Sequence, residues 1–343
     1  MYNRPSSLHR YLYTSDSGSG SGSGFGSSGQ QQRAWALVTG SSSGIGKCLT
    51  FELASHGFNV VLHGRNRAKL EGVRKELQAM YPRVETKILV ADAAQCHRET
   101  DDFFEDIKAQ LKDLHLTVLI NCAGAGPSPS FGELEDYSAE EILENLHLNA
   151  GFPALLTAAV LPIMKGRYRE RRGTKNVNEK GTMDMANGQS GTIPKPRVKQ
   201  KQKRPILVIN IGSVTDEGFP MVSFYSAGKA ATHALHKALA LEAALDYDDN
   251  EVEIEIISHR VGHATGVSHS GAPPTLFQPH ARTIARAVLA RTGCGRKSVV
   301  PYWPHALQQA FLGYIPSWMR DRVVVTAMRE QRKAQDEMAK KER

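Results

Sequence analysis

The feature that most constrains this chain is an alternation that begins at Ala34, in which short β-branched runs are each followed by a longer amphipathic segment. Strand followed by helix, repeated, packs as parallel strands, because a parallel neighbour needs a long crossover and the crossover helix covers the sheet. Strands are expected at Ala34–Thr39, Asn59–Gly64, Glu85–Val90, Val118–Asn121, Pro205–Ile211 and Glu253–Ser258, with Lys297–Pro301 closing the sheet. Helices are expected at Ile45–His56, Arg67–Met80, Glu99–Lys112, Ser138–Met164, Phe224–Tyr247 and Gln278–Thr292. The order runs through once with no second cycle. It predicts one α/β domain over residues 34–301, with a doubly wound, mostly parallel, seven-stranded sheet.

The flanks read differently. Residues 1–33 end in the Ser/Gly tract Ser15–Gly29 and three glutamines, which cannot bury enough apolar surface to offset chain entropy, so a disordered tail is expected. Met1–Thr14, with Arg4, Arg10 and no acid, matches a mitochondrial transit peptide only weakly, and an unstructured tail is preferred. Residues 166–204 interrupt a helix-to-strand connection. Thirteen Lys/Arg and three acids lie between Lys165 and Arg204, more than accounting for the net charge of +8. A basic, disordered external insert on a near-neutral body is therefore expected, rather than a nucleic-acid-binding face. Residues 302–343 form an extension that is first apolar and aromatic, then charged.

Composition excludes several classes. With 41% hydrophobic and 23% charged residues, the chain can build a sizeable core. Cys48, Cys96, Cys122 and Cys294 are scattered without a CxxC pair, which argues against a disulfide framework or a zinc site and fits a reducing compartment. The thirteen histidines are equally dispersed, so no metal is expected. No run of 18 uncharged apolar residues marks a membrane-spanning helix.

The first strand runs into Gly40-Ser41-Ser42-Ser43-Gly44-Ile45-Gly46 and then a helix. Glycines there permit a tight turn and close backbone approach, and the helix start offers free N–H groups to a pyrophosphate. Gly40, Ser42, Ser43, Gly44, Ile45 and Gly46 are the cofactor-binding candidates of this turn. At the end of the second strand stands Arg65, where an acid would select NAD; a planar cation there suits a 2′-phosphate, and so NADP. Asp92, Asn121, Ala123 and Gly124 lie at later strand ends, where open α/β sheets bind ligands.

Tyr225 and Lys229 stand at i and i+4, on one face of a helix. A phenol is a poor acid at neutral pH, but a neighbouring ammonium stabilises its phenolate and lowers its pKa toward the working range. Tyr225 could then protonate a carbonyl oxygen, while Ser213, just past the fifth strand, gives that oxygen a second hydrogen bond.

Together these motifs resemble the short-chain dehydrogenase/reductase family over roughly Ala34–Thr265: Thr39 to Gly46, Asn121-Cys122-Ala123-Gly124, Ser213, and Tyr225 with Lys229. The resemblance implies a Rossmann-type domain and a catalytic set of Asn149, Ser213, Tyr225 and Lys229. Asn149, in Leu148-Asn149-Ala150-Gly151, lines up with an asparagine that holds a proton-relaying water. It also implies that Tyr225, Lys229 and Thr265 touch the cofactor. Two departures stand out. The interval from Ser213 to Tyr225 is one residue shorter than the family's usual spacing. After the sixth strand, where the family shows Pro-Gly, this chain reads Ser258-His259-Arg260-Val261-Gly262-His263-Ala264-Thr265.

Past Thr265, a Gly/Ser/Pro-rich stretch suits a loop covering substrate. The tail resembles the branch of 17-beta-hydroxysteroid dehydrogenases and very-long-chain 3-oxoacyl-CoA reductases. Trp303, Phe311, Tyr314 and Trp318 read as a peripheral membrane-facing patch or lipophilic lid, the alternative being a helix over the core or a dimer contact. Lys340 and Lys341 resemble a retrieval signal of the endoplasmic reticulum. The expectation is NADPH-dependent reduction of a lipophilic ketone, a 3-oxoacyl thioester or ketosteroid, in the cytoplasm or on the cytosolic face of that organelle. A general cytosolic carbonyl reductase and a catalytically weak nucleotide-binding scaffold are the alternatives, and the resemblance implies a homodimer or homotetramer.

Overall fold

Strands that read as unbroken Val, Ile and Leu need cover on both faces, and the chain supplies it. The computed structural model describes residues 6–13, 32–98, 100–127, 131–166, 203–245, 252–267 and 273–341. Seven strands, β1 (Trp35–Val38), β2 (Asn59–Gly64), β3 (Thr86–Val90), β4 (Leu116–Asn121), β5 (Arg204–Ser213), β6 (Val252–Val261) and β7 (Ser298–Val299), form one sheet in the order β3-β2-β1-β4-β5-β6-β7. Every pairing is parallel. The sheet is thus more uniform than the mostly parallel one expected.

Side chains divide by strand alternation. Ala36, Val38, Leu207 and Ile209 face a layer built by α1 (Gly44–Ser55), α2 (Arg67–Met80) and α7 (Ala281–Leu289). Trp35, Leu37, Ile206 and Val208 face the other layer, with α3 (Thr100–Leu111), α5 (Phe152–Met164) and α6 (Ser223–Leu245). The direction of winding reverses between β1 and β4, and the crevice at such a switch point, beyond the carboxyl ends of the strands, is where this architecture places a ligand.

Four expectations need correction. The helix expected over Ser138–Met164 is α4 (Ala139–Leu146), a π turn (His147–Gly151), then α5. By length and composition this 26-residue run could cross a membrane, yet Phe152, Leu156 and Val160 are core residues against the sheet. The helix expected over Gln278–Thr292 is only Ala281–Leu289, because Pro279 precedes it and the His280 ring caps its first turn by accepting from Arg282 N at 3.1 Å. The closing strand is two residues long. Residues 167–202, most of the basic insert, lie outside the described residues, as do 268–272 of the loop after Thr265.

The fourth correction is at the amino terminus. Within the expected disordered tail, Leu8–Tyr11 form a 3-10 turn whose Leu8 and Tyr11 are buried in the core. Ser7 N donates to Thr292 O (3.0 Å), Ser6 Oγ to Leu289 O (2.6 Å), Thr117 Oγ1 to Tyr11 O (2.8 Å) and Tyr11 Oη to Glu255 Oε2 (2.5 Å). This strap fastens the amino-terminal ends of β4 and β6 to the end of α7. At the carboxyl terminus the chain ends in α8 (Trp303–Tyr314) and α9 (Ser317–Lys341).

Candidate active site

The glycine turn works because a side chain would not fit. Gly40 and Gly44 have φ of +70° and +56°, and a Cβ on Gly46 would lie 2.2 Å from Gly40 O. Ser41 fastens the turn to β2: its N donates to His63 O at 2.9 Å, and its Oγ accepts from His63 N at 3.3 Å. Thr39 fastens it to β4, since its Oγ1 accepts from Cys122 N and Ala123 N at 2.8 Å each. Sequence reasoning missed this role of Thr39; a polar residue closing an apolar strand was the only signal. Ser43 stands at the amino end of α1 but makes no capping bond with its side chain. The leading N–H groups of α1 are therefore open to an anion.

The other cofactor candidates divide. Arg65 is exposed at the end of β2 with no hydrogen bond or ion pair to other described residues. Ser42 Oγ stands beside Gly64, 3.7 Å from where a Cβ would be, and Ile45 packs on the core. Asp92 caps a short 3-10 turn, accepting from Ala94 N at 3.1 Å. Asn121 is turned into the protein: its Nδ2 donates to Thr157 Oγ1 (2.8 Å) and to His236 Nε2 (3.2 Å). His236 can accept there because its Nδ1 is committed to the Thr232 carbonyl at 2.8 Å, and burial pushes its pKa down to about 4. Thr265 is fully buried, bonded through its backbone to Pro279 and Ala281, with its hydroxyl unpartnered. Val267 instead reaches the turn, 3.3 Å from a Cβ built on Gly44. A helix start without a side-chain cap, a cation at the end of β2 with no partner among the described residues, and a backbone cradle only glycine permits fit a dinucleotide phosphate.

The chemical residues converge at the same end of the sheet. A Cβ on Gly124 would fall 2.7 Å from Asn149 Oδ1 and 2.8 Å from Lys229 Nζ, and one on Gly228 would fall 2.9 Å from Asn149 Cβ. Two glycines thus let β4, the π turn and α6 close on one point. The π turn presents Asn149, whose Nδ2 donates to Ala125 O (2.9 Å), Asn145 O (3.0 Å) and Asn145 Oδ1 (3.0 Å); its Oδ1 is buried without a partner. Asn145 holds the same loop by donating to Ala125 O and Gly126 O, another role sequence reasoning missed.

Lys229 Nζ donates to Ile211 O at 3.2 Å and lies 5.6 Å from the centre of the Tyr225 ring. Ser213 Oγ accepts from Thr215 N (3.2 Å) and Thr215 Oγ1 (2.9 Å), and neither bond uses its own proton. The expected lowering of the phenol pKa is reversed. Burial pushes Tyr225 up, with the Ser213 hydrogen bond pulling the other way, and burial pushes Lys229 down to about 8. Desolvation of the charged form is the largest cause at each group. A shallow groove lined by Leu12, Tyr13, Met80 and Tyr81 opens at the opposite ends of the strands and has no part in this site.

Residues 34–178 match the family model for short chain dehydrogenases. A very-long-chain 3-oxoacyl-CoA reductase of Scheffersomyces stipitis is 29% identical over 288 residues, covering 81% of this chain and 71% of that protein. A mouse (Mus musculus) protein named inactive hydroxysteroid dehydrogenase-like protein 1 is 26% identical, covering 84% and 74%. Among solved structures, a short-chain dehydrogenase from Sphingobium yanoikuyae in complex with NADPH superposes with a TM-score of 0.57 at 21% identity, covering 83% and 97%.

Proposed function

We infer, for a chain that belongs to the short-chain dehydrogenase family, that it reduces a lipophilic ketone to a secondary alcohol with NADPH. The observation that carries the reading is Lys229 Nζ, 5.6 Å from the centre of the Tyr225 ring and held by Ile211 O at 3.2 Å. NADPH, when bound, supplies hydride to the carbonyl carbon. The glycine turn and the start of α1 hold its pyrophosphate, and Arg65 pairs with its 2′-phosphate. Tyr225 gives its proton to the carbonyl oxygen, Ser213 donates to the same oxygen, and Lys229, mostly charged below its pKa of about 8, stabilises the phenolate. Asn149 Oδ1 offers a hydrogen-bond acceptor beside Lys229 that would hold the water relaying the returning proton.

The 3-oxoacyl thioester named for the fungal relative is the preferred substrate class, a ketosteroid the next. Trp303, Leu307 and Phe311, spaced four apart on α8, leave an exposed apolar stripe that suits peripheral contact with the cytosolic face of the endoplasmic reticulum. The side chains of Lys340 and Lys341 lie outside the described residues. NADPH consumption against both substrate classes tests the reading, with Tyr225→Phe expected to lower kcat by about 10²–10⁴-fold. Full rate in that variant removes the acid assignment. NADPH binding with no turnover supports a second reading, a nucleotide-binding scaffold, favoured by the buried Thr265 and by the inactive relative.

A further inference from the structure

The two departures noted in the sequence, the short Ser213–Tyr225 interval and the altered end of β6, touch each other. Arg260 stands one residue before Val261, the register partner of Ser213. Its guanidinium forks onto Asp216: Nε donates to Oδ1 and Oδ2 at 3.0 and 2.9 Å, and Nη2 to Oδ1 at 2.6 Å. Nη2 also donates to Glu217 Oε1 at 2.7 Å. The Asp216 side chain is 6% exposed, and Nδ1 of His233, on α6, lies 3.5 Å from its Oδ2.

Asp216 and Glu217 end the 3-10 turn Val214–Glu217 that starts directly on Ser213. Beyond it the chain passes through two left-handed residues, Gly218 (φ +92°) and Met221 (φ +64°), and Phe219 N donates to Ser226 Oγ at 3.2 Å. A non-glycine residue in that region persists only where its surroundings hold it. The Ser226 and His233 contacts come from the helix that carries Tyr225, whereas Arg260 joins the loop to the sheet.

We infer that Arg260 is a positioning residue: through Asp216 and Glu217 it holds the segment 214–222, and with it the Ser213 hydroxyl, in place for the carbonyl that Tyr225 protonates. A bidentate guanidinium fixes a carboxylate in direction as well as distance, which a lone ammonium does not. The inference rests on the reading of Tyr225 as the proton donor, since only then does a displaced Ser213 slow chemistry. Displacement of such a donor costs of the order of 10- to 100-fold in rate.

The test compares Arg260→Met, Arg260→Lys, Asp216→Asn and the Arg260→Met/Asp216→Asn double variant in the full chain. Arg260→Met and Asp216→Asn are each expected to lower kcat about 10- to 100-fold, with KM for NADPH within about twofold of wild type. Arg260→Lys should recover part of the loss, and the double variant should be no slower than the worse single. Hydrogen exchange of a peptide covering 213–224 should quicken about tenfold in Arg260→Met, with exchange in β4 and β5 unchanged. Unchanged kcat, a parallel rise in KM for NADPH, multiplicative losses in the double, or faster exchange throughout the protein would each overturn the proposal. If wild type turns over no ketone, the reading of Tyr225 fails, and the exchange of 213–224 alone decides whether Arg260 holds the loop. Should Arg260→Met not fold, Asp216→Asn carries the same comparison.

Discussion

Lys229 carries a charge into a site where it is only 7% exposed, and burial holds its pKa near 8 rather than an ordinary 10.5. A folded-state pKa below the unfolded one means that the unfolded chain binds the extra proton between about 8 and 10.5. The penalty on folding is therefore present in full below about pH 8 and is lost as pH rises to 10.5. At about 1.4 kcal/mol per pKa unit, it is on the order of 3 kcal/mol, offset by about 1 kcal/mol for the bond to Ile211 O. Lys229→Met should then be inactive yet about 2 kcal/mol more stable at pH 7, with a melting temperature roughly 5 °C higher. The gap from wild type should close toward pH 10.5. Thermal melts at the two pH values check this, and a variant less stable than wild type at pH 7 contradicts it. Gly46 shows the opposite economy: with Gly40 O in the path of any Cβ, the residue has no alternative.

The strap Leu8–Tyr11 is the element whose removal isolates structure from chemistry. It buries Leu8 and Tyr11 at the end of the sheet remote from Tyr225. Full burial of two such side chains is worth about 3–5 kcal/mol. A chain starting at Thr14 should therefore melt roughly 10 °C lower, with kcat and KM within about twofold of wild type. A large change in either constant would mean that the strap reaches the site. The strap was illegible in the sequence because two apolar residues in a polar stretch set no period; their partners, Glu255 and Thr117, lie far along the chain. Where period and punctuation agree, the reading was sound: Asn59–Gly64 and Arg67–Met80 are strand and helix to the residue. The π turn at Asn149 was invisible because Leu146 to Phe152 keeps a helical pattern through the extra residue. At the candidate site, spacing pointed to Tyr225 and Lys229. It could not find Thr39 or Asn145, whose side chains bond backbone atoms far along the chain, or the inward turn of Asn121, which depends on Thr157 and His236.

At the scale of the whole molecule, the two last helices carry a run of exposed apolar side chains. Trp303, Leu307, Phe311, Tyr314, Trp318 and Val323 are exposed on α8 and α9, Tyr314 at 90%. The opposite side of α8 is committed: His305 is buried, bonded to Phe277 O at 3.1 Å, and packs on Gly262 at the end of β6. Further along, α9 returns to the body, where Met328 is buried and Arg332 lies 3.6 Å from Glu133. The apolar stripe is thus mounted beside the carboxyl end of β6, with Arg322 over the Trp318 ring. Trp303→Ser/Phe311→Ser/Trp318→Ser should cut flotation with vesicles of phosphatidylcholine and phosphatidylserine by about tenfold, leaving turnover of a water-soluble ketone unchanged. Equal flotation of variant and wild type removes the membrane from the account.

The strap also fixes an order of assembly. The bond from Ser6 to Leu289 spans 283 residues. Synthesis runs from the amino end, so the seat for Leu8 and Tyr11 is incomplete until α7 has been made. Closing so long a loop is slow beside the local pairing of neighbouring strands and helices. The strap is made long before its seat is complete, and a chain halted before α7 lacks Leu289 and Thr292, the partners of Ser6 and Ser7.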